Sequence, residues 1–80
     1  MLVDALDHLV RGVVEEPVDV QVALKSTRRG DLLEVRVNPD DLGRVIGRQG
    51  RTARALRTVM AALAKESIRV DVIDTDRRRG

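Results

Sequence analysis

Apolar residues at Leu2, Leu6, Leu9, Val10 and Val13 recur at intervals of three and four, the period of a helix that buries one side. Val3 and Val14 widen the stripe, while Asp4, Asp7, His8 and Arg11 fall mostly on the opposite, wet side. The spacing predicts a helix over 2–14, closed by Pro17, which cannot continue a helix without losing a hydrogen bond. The period then switches to two. Val18, Val20, Val22 and Leu24 alternate with Asp19, Gln21, Ala23 and Lys25, the pattern of a half-buried strand. Polar residues from Ser26 to Asp31, including Gly30, read as a hairpin connection. Leu33, Val35 and Val37, alternating with Glu34 and Arg36, supply a second strand antiparallel to the first.

Asn38-Pro39-Asp40-Asp41 is a strong helix start. Asn38 can cap, Pro39 suits the first helical position, and two acids favour the positive end of the helix dipole. The helix that follows is short: Leu42, Val45 and Ile46 are interrupted by Gly47-Arg48-Gln49-Gly50. A longer helical pattern runs from Arg51 to about Glu66, with Ala53, Leu56, Met60, Leu63 and Ala64 on one side. Ile68, Val70 and Val72 make a last strand, and Asp74 to Gly80 reads as a polar, frayed tail. The expected order is α-β-β-α-α-β in an α+β domain. Leaving the second strand through two helices and returning, the chain should place its third strand parallel to the second. The helices would cover one side of a three-stranded mixed sheet.

Composition narrows the chemistry. Eighty residues make one small domain, and 42% apolar against 35% charged residues suffice for a modest core. Cysteine is absent and histidine occurs once, which excludes disulfides, thiolate chemistry and a multi-histidine metal site. Neither a catalytic constellation nor a cofactor fingerprint is present; Asp40 and Asp41 are explained by the helix start, and no enzyme is expected. Phe, Trp and Tyr are all missing, so bases cannot be stacked on aromatic rings as in many RNA-binding modules. The N-terminus lacks a basic region ahead of an apolar one, and the longest apolar run is Val59 to Ala64. These features predict a cytoplasmic protein with neither a signal peptide nor a membrane span.

Charge is unevenly placed. Residues 1–42 hold five basic against nine acidic side chains, whereas residues 43–69 hold seven basic (Arg44, Arg48, Arg51, Arg54, Arg57, Lys65, Arg69) against Glu66 alone. Six of those seven are arginine, whose planar fork suits phosphate. A basic block inside an acidic chain points to a polyanion site. The Gly47-Arg48-Gln49-Gly50 segment lies within it. Two glycines permit a sharp turn and close approach of a sugar-phosphate chain, and the following helix presents free N–H groups. Arg48 and Arg51 add charge, Arg44 and Arg54 lie within helical reach, and Gln49 can donate a hydrogen bond. Val45 and Arg51 stand where a nucleoside-triphosphate loop needs glycine and lysine, so mononucleotide chemistry is disfavoured.

The motif Ile46-Gly47-Arg48-Gln49-Gly50 between two helices, in this element order, resembles a type II KH domain over about residues 2–73. With Asn38-Pro39-Asp40-Asp41-Leu42-Gly43-Arg44-Val45 leading into it, the chain is similar to the KhpA family of small bacterial RNA-binding proteins. A single KH domain over 1–74 with a tail over 75–80 is expected. The resemblance implies single-stranded RNA binding and an RNA-chaperone or post-transcriptional role. It also implies a complex with a second KH protein, KhpB (Jag or EloR), and an influence on cell-wall synthesis and cell length. KH domains hold about four nucleotides, with the backbone on this loop and bases in an apolar groove. The implied RNA contacts are Arg44, Val45, Ile46, Gly47, Arg48, Gln49, Gly50, Arg51 and Arg54. Ala53 and Leu33 or Val35 would help to line the groove. Without aromatic stacking, worth ~1–3 kcal/mol per base, a monomer should bind only at about micromolar affinity or weaker. Avidity from a second copy or a partner should then matter.

Ala55, Val59 and Ala62 form a second small apolar stripe on the long helix, suited to self-association or to the KhpB-like partner. Two other readings fit the charge pattern. One is a helix-turn-helix DNA binder presenting Arg51, Arg54 and Arg57. The other is an adaptor whose basic loop meets an acidic protein.

Overall fold

The computed structural model describes residues 2–64 and 68–73. The helix end expected near Glu66, and the tail expected from Asp74 to Gly80, lie outside the described residues. Six elements follow in the expected order: α1 (Leu2–Arg11), β1 (Gln21–Thr27), β2 (Gly30–Arg36), α2 (Leu42–Ile46), α3 (Arg51–Ala64) and β3 (Ile68–Val72). Single 3₁₀ turns precede β1, α2 and α3.

Leu6 and Val10, one turn apart, are the residues that α1 buries completely. The helix stops at Arg11 rather than Val14. Gly12 is a poor helix former, and beyond it the Val13 amide turns back to the Val10 carbonyl at 3.0 Å. Arg11 bonds Asp7 one turn earlier and the Pro17 carbonyl at 3.0 Å, holding the chain reversal against the helix end.

The first strand starts later than its alternation suggests. Pro17 presets the dihedral of a 3₁₀ turn over Pro17–Asp19, closed by the Val20 amide on the Pro17 carbonyl at 3.1 Å. Val18 therefore belongs to the turn and is 81% exposed, and the strand runs Gln21–Thr27 instead of 18–25. Val20 is buried just ahead of it, whereas Leu24, on an edge strand near the hairpin tip, stays half exposed.

The sheet order is β1-β2-β3. The β1–β2 pair is antiparallel, from Gln21 opposite Arg36 to Thr27 opposite Gly30. The β2–β3 pair is parallel, from Asp31 opposite Ile68 to Val35 opposite Val72. The mixed sheet is thus the one the two-helix crossover requires. Leu33, Val35 and Val70 face the helices and are buried with Val45, Leu56 and Met60 in one aliphatic core. The opposite side carries Lys25, Glu34, Arg36, Arg69 and Asp71, with Lys25 and Arg36 both reaching toward Glu34. Leu63 departs from expectation. The core stripe of α3 passes through Ala53, Leu56 and Met60 and continues to half-buried Ala64, leaving Leu63 52% exposed. Among the described residues no helix is long and apolar enough to cross a membrane.

Candidate nucleic-acid interface

The approach to the glycine loop is locally encoded. Asn38 Oδ1 accepts the Asp40 amide at 2.8 Å, Pro39 opens the 3₁₀ turn, and α2 continues for five residues. The two acids of this start do different jobs. Asp40 is exposed, whereas Asp41 is 2% exposed, and its carboxylate accepts the backbone N–H groups of Glu15 and Glu16 at 3.1 and 3.0 Å. Asp41 therefore clips the α1–β1 connection to the base of the helix that carries the loop. Its apparent role as a dipole-favouring surface acid masked this one.

The loop itself departs sharply from helical geometry. Gly47 sits at φ 79°, ψ 166°, and a Cβ there would lie 2.7 Å from both the Cβ and the amide nitrogen of Thr52. Gly47 is required by space as well as by dihedral. Gly50, at φ 75°, has open space around it and is favoured by dihedral alone. Between them Gln49 takes a left-handed conformation, φ 58°, ψ 24°, at a cost of about 1–2 kcal/mol for a residue with a side chain. Its Oε1 accepts from Arg51 Nη2 at 3.3 Å, which orients the exposed amide.

The charge around this loop is electrostatically one-sided. The first turn of α3 contains no acid and begins with Arg51, so a cation sits at the positive end of the helix dipole. Arg48, Arg51 and Arg54 are exposed, and none has a carboxylate within 4.0 Å among the described residues. An anion at this helix start would relieve the repulsion and meet donors already aimed at it. Arg44 differs from the other three. Its Nη2 lies 3.2 Å from Glu15 Oε2 and its Nε 3.9 Å from Asp41 Oδ1, so its charge is compensated within the chain.

The expected aliphatic groove does not form where the resemblance suggested. Val45, Leu33 and Val35 are 0% exposed and Ala53 is 6% exposed, because they face the core. Of the apolar residues proposed to line the groove, Ile46 alone reaches the surface appreciably. The open concavity lies instead along β3, the sheet edge. A cavity of about 340 Å³ is lined by Leu32, Ile68 and Val70 with Arg57, Arg69 and Asp71. The Ile73 amide bonds Val35 across the parallel pair, so alternation turns the backbone polar groups of Ile68, Val70 and Val72 outward. Arg57 Nε occupies one of these, the Val70 carbonyl, at 3.3 Å. Arg57 follows Arg54 by three residues, the helical signal that could have extended the candidate set along α3.

At about 100° per residue, Arg54 and Arg57 share the flank of α3 that faces this edge. Ala55, Val59 and Ala62 lie on the other flank; all three are exposed, Val59 at 42%, and Leu63 joins them. The loop and groove are therefore separate from the small apolar stripe. The packing of α3 on β3, in a single three-stranded sheet whose strands precede and follow the helix pair in the chain, is not that of a helix-turn-helix fold.

Residues 3–73 match the family model described as KhpA/KhpB, KH domain. RNA-binding protein KhpA of Streptomyces coelicolor is 62% identical, the match covering 99% of this chain and all of that protein. The proteins of the same name from Mycobacterium tuberculosis H37Rv and Halalkalibacterium halodurans are 60% and 43% identical, over 95% and 86% of this chain and 95% of each relative. No solved structure matches the chain significantly. With the type II KH element order, the positive-φ loop and nearly full-length relatives at this identity, the chain belongs to the KhpA/KhpB KH-domain family.

Proposed function

We propose that this protein binds single-stranded RNA, with the phosphate backbone on the Gly47–Gly50 loop and the bases directed toward the β3 edge. The observation that carries the reading is the loop itself. A strained, glycine-flanked turn opens a helix whose first turn bears arginine and no acid. Arg48, Arg51 and Arg54 supply guanidinium groups with no carboxylate partner among the described residues, Gln49 an oriented amide, and Ile46 an apolar contact beside them. Beyond the loop, the outward backbone groups of β3 other than the Val70 carbonyl, which Arg57 Nε already holds, offer hydrogen bonds to base edges, a mode that needs no aromatic stacking. The names of the KhpA relatives support RNA as the ligand.

Arg44 and Val45 take lesser parts in this scheme, the first held by Glu15 and the second buried in the core. The exposed stripe Ala55, Val59, Ala62 is our candidate for contact with a second copy or with a KhpB-like KH protein, and its position leaves the groove open in either assembly. RNA chaperoning and an influence on cell-wall synthesis and cell length extend the proposal by family resemblance.

Fluorescence anisotropy with a labelled single-stranded RNA tests the reading, at two salt concentrations and with duplex DNA as competitor. Affinity of the wild type should be roughly micromolar and fall steeply with salt. A folded Arg48→Asp, Gln49→Asp double variant should lose it. Equal binding by both proteins would remove the loop as the RNA site. Binding by neither would favour an adaptor that acts through protein contacts.

A further inference from the structure

The hairpin tip lies at the opposite end of the sheet from the glycine loop. Ile68, where β3 begins, pairs with Asp31, two residues past the tip, and β3 ends beside the start of α3 and its loop. The fourteen residues of α3 span about 20 Å between these ends. At the tip stand Arg28 and Arg29, both exposed. Turn centres ordinarily go to Asn, Asp, Ser, Gly or Pro, and two adjacent arginines do nothing for this turn. The positive dihedral falls on Gly30, at φ 111°, not on either arginine. The turn is closed by backbone groups and Thr27: its hydroxyl donates to the Gly30 carbonyl at 2.6 Å and accepts the Arg29 amide at 3.2 Å. Neither guanidinium has a hydrogen bond or an ion pair among the described residues.

A third arginine is fixed beside them. Arg69 Nη2 reaches Thr27 Oγ1 at 2.7 Å, crossing β2 at Gly30, where no side chain blocks it. Arg69 also lines the cavity at the β3 edge together with Arg57. The basic path thus runs from the loop past Arg54 and Arg57, through the cavity, to Arg69 and the tip. Among the described residues two acids face this path: Asp71 in the cavity, and Asp31, which accepts a long hydrogen bond from Ser26 at 3.5 Å.

We infer that the hairpin tip, through Arg28 and Arg29 with Arg69 beside them, is a second phosphate grip. It holds the backbone of an RNA strand that has already passed along the groove. The inference rests on the RNA-binding reading and adds to it a footprint longer than the loop and groove provide. A KH groove takes about four nucleotides; the tip would engage nucleotides beyond them.

The test compares labelled oligouridylates of roughly four and roughly ten nucleotides, within the range that single-strand sites span. The wild type is run beside an Arg28→Gln, Arg29→Gln variant. The backbone-built turn should survive this change, and far-ultraviolet circular dichroism checks that it does. Two lost phosphate contacts should weaken the longer oligomer about tenfold near physiological salt and lower its salt slope by about 1.4. Binding of the short oligomer should not change. If the wild type binds RNA and the variant matches it on both lengths, or loses equally on both, the tip is not a distal grip while the loop reading stands. Failure of the wild type to bind either oligomer removes both.

Discussion

Replacing Asp41 tests whether a buried carboxylate, rather than a favourable surface charge, organises the base of the glycine loop. The side chain is 2% exposed and receives two backbone N–H groups from a segment 25 and 26 residues away in sequence. A hydrogen bond to a charged group contributes about 1.5–3 kcal/mol. Asp41→Ala removes both acceptors and leaves two amides to find water in a partly buried site. We expect a loss of about 3–4 kcal/mol. An eighty-residue domain holds ~4–12 kcal/mol in all at ~0.05–0.15 kcal/mol per residue, so this one change should bring the variant close to unfolding. Because the chain has no tryptophan or tyrosine, urea unfolding is followed by circular dichroism rather than fluorescence. With a slope near 1 kcal/mol per molar urea for so small a domain, the midpoint should fall by about 3 M. Asp40→Ala is the internal control. Asp40 is exposed, and if both acids acted only on the helix dipole each would be worth about 0.3–1 kcal/mol. Equal, small losses for the two variants would refute the buried-clip argument.

Three further variants have expected outcomes. Gly47→Ala should destabilise the domain by several kcal/mol and abolish RNA binding, since its Cβ would press on the backbone of Thr52. Gly50→Ala, with open space around it, should cost only the ~1–2 kcal/mol of a left-handed alanine; thermal melts of the pair check the difference, and equal costs would contradict it. Val59→Asp should leave the monomer folded, because Val59 is 42% exposed, but should abolish self-association in sedimentation; a dimer that survives it would remove the α3 stripe as an interface.

How far the site could be read from sequence depends on how local each determinant is. Asn38, Pro39 and the two glycines act within a few residues of themselves, so the helix start and the loop were visible directly. Alternation at Leu33, Val35 and Val37 likewise marked the buried side of β2, and the crossover followed from connectivity. Alternation misled at Val18, where Pro17 had already committed the backbone to a turn. Helical periodicity misled at Leu63, because the stripe alone does not say how wide a face of α3 the sheet covers.

The remaining features arise between segments far apart in the chain. Asp41 looks like any acid at a helix start until folding brings the Glu15 and Glu16 amides onto it. Arg44 counts as a free cation until Glu15 arrives beside it. The open concavity borders β3 rather than the inner side of α2, because Val45, Leu33 and Val35 are buried in the core of a chain without aromatic residues. Periodicity and turn chemistry, which are backbone preferences expressed over a few residues, determined the element order and the glycine-flanked loop. Which arginines stay uncompensated, which aliphatic residues stay open and which strand edge borders α3 were decided by tertiary packing, since burial and ion pairing depend on neighbours that only the closed fold supplies.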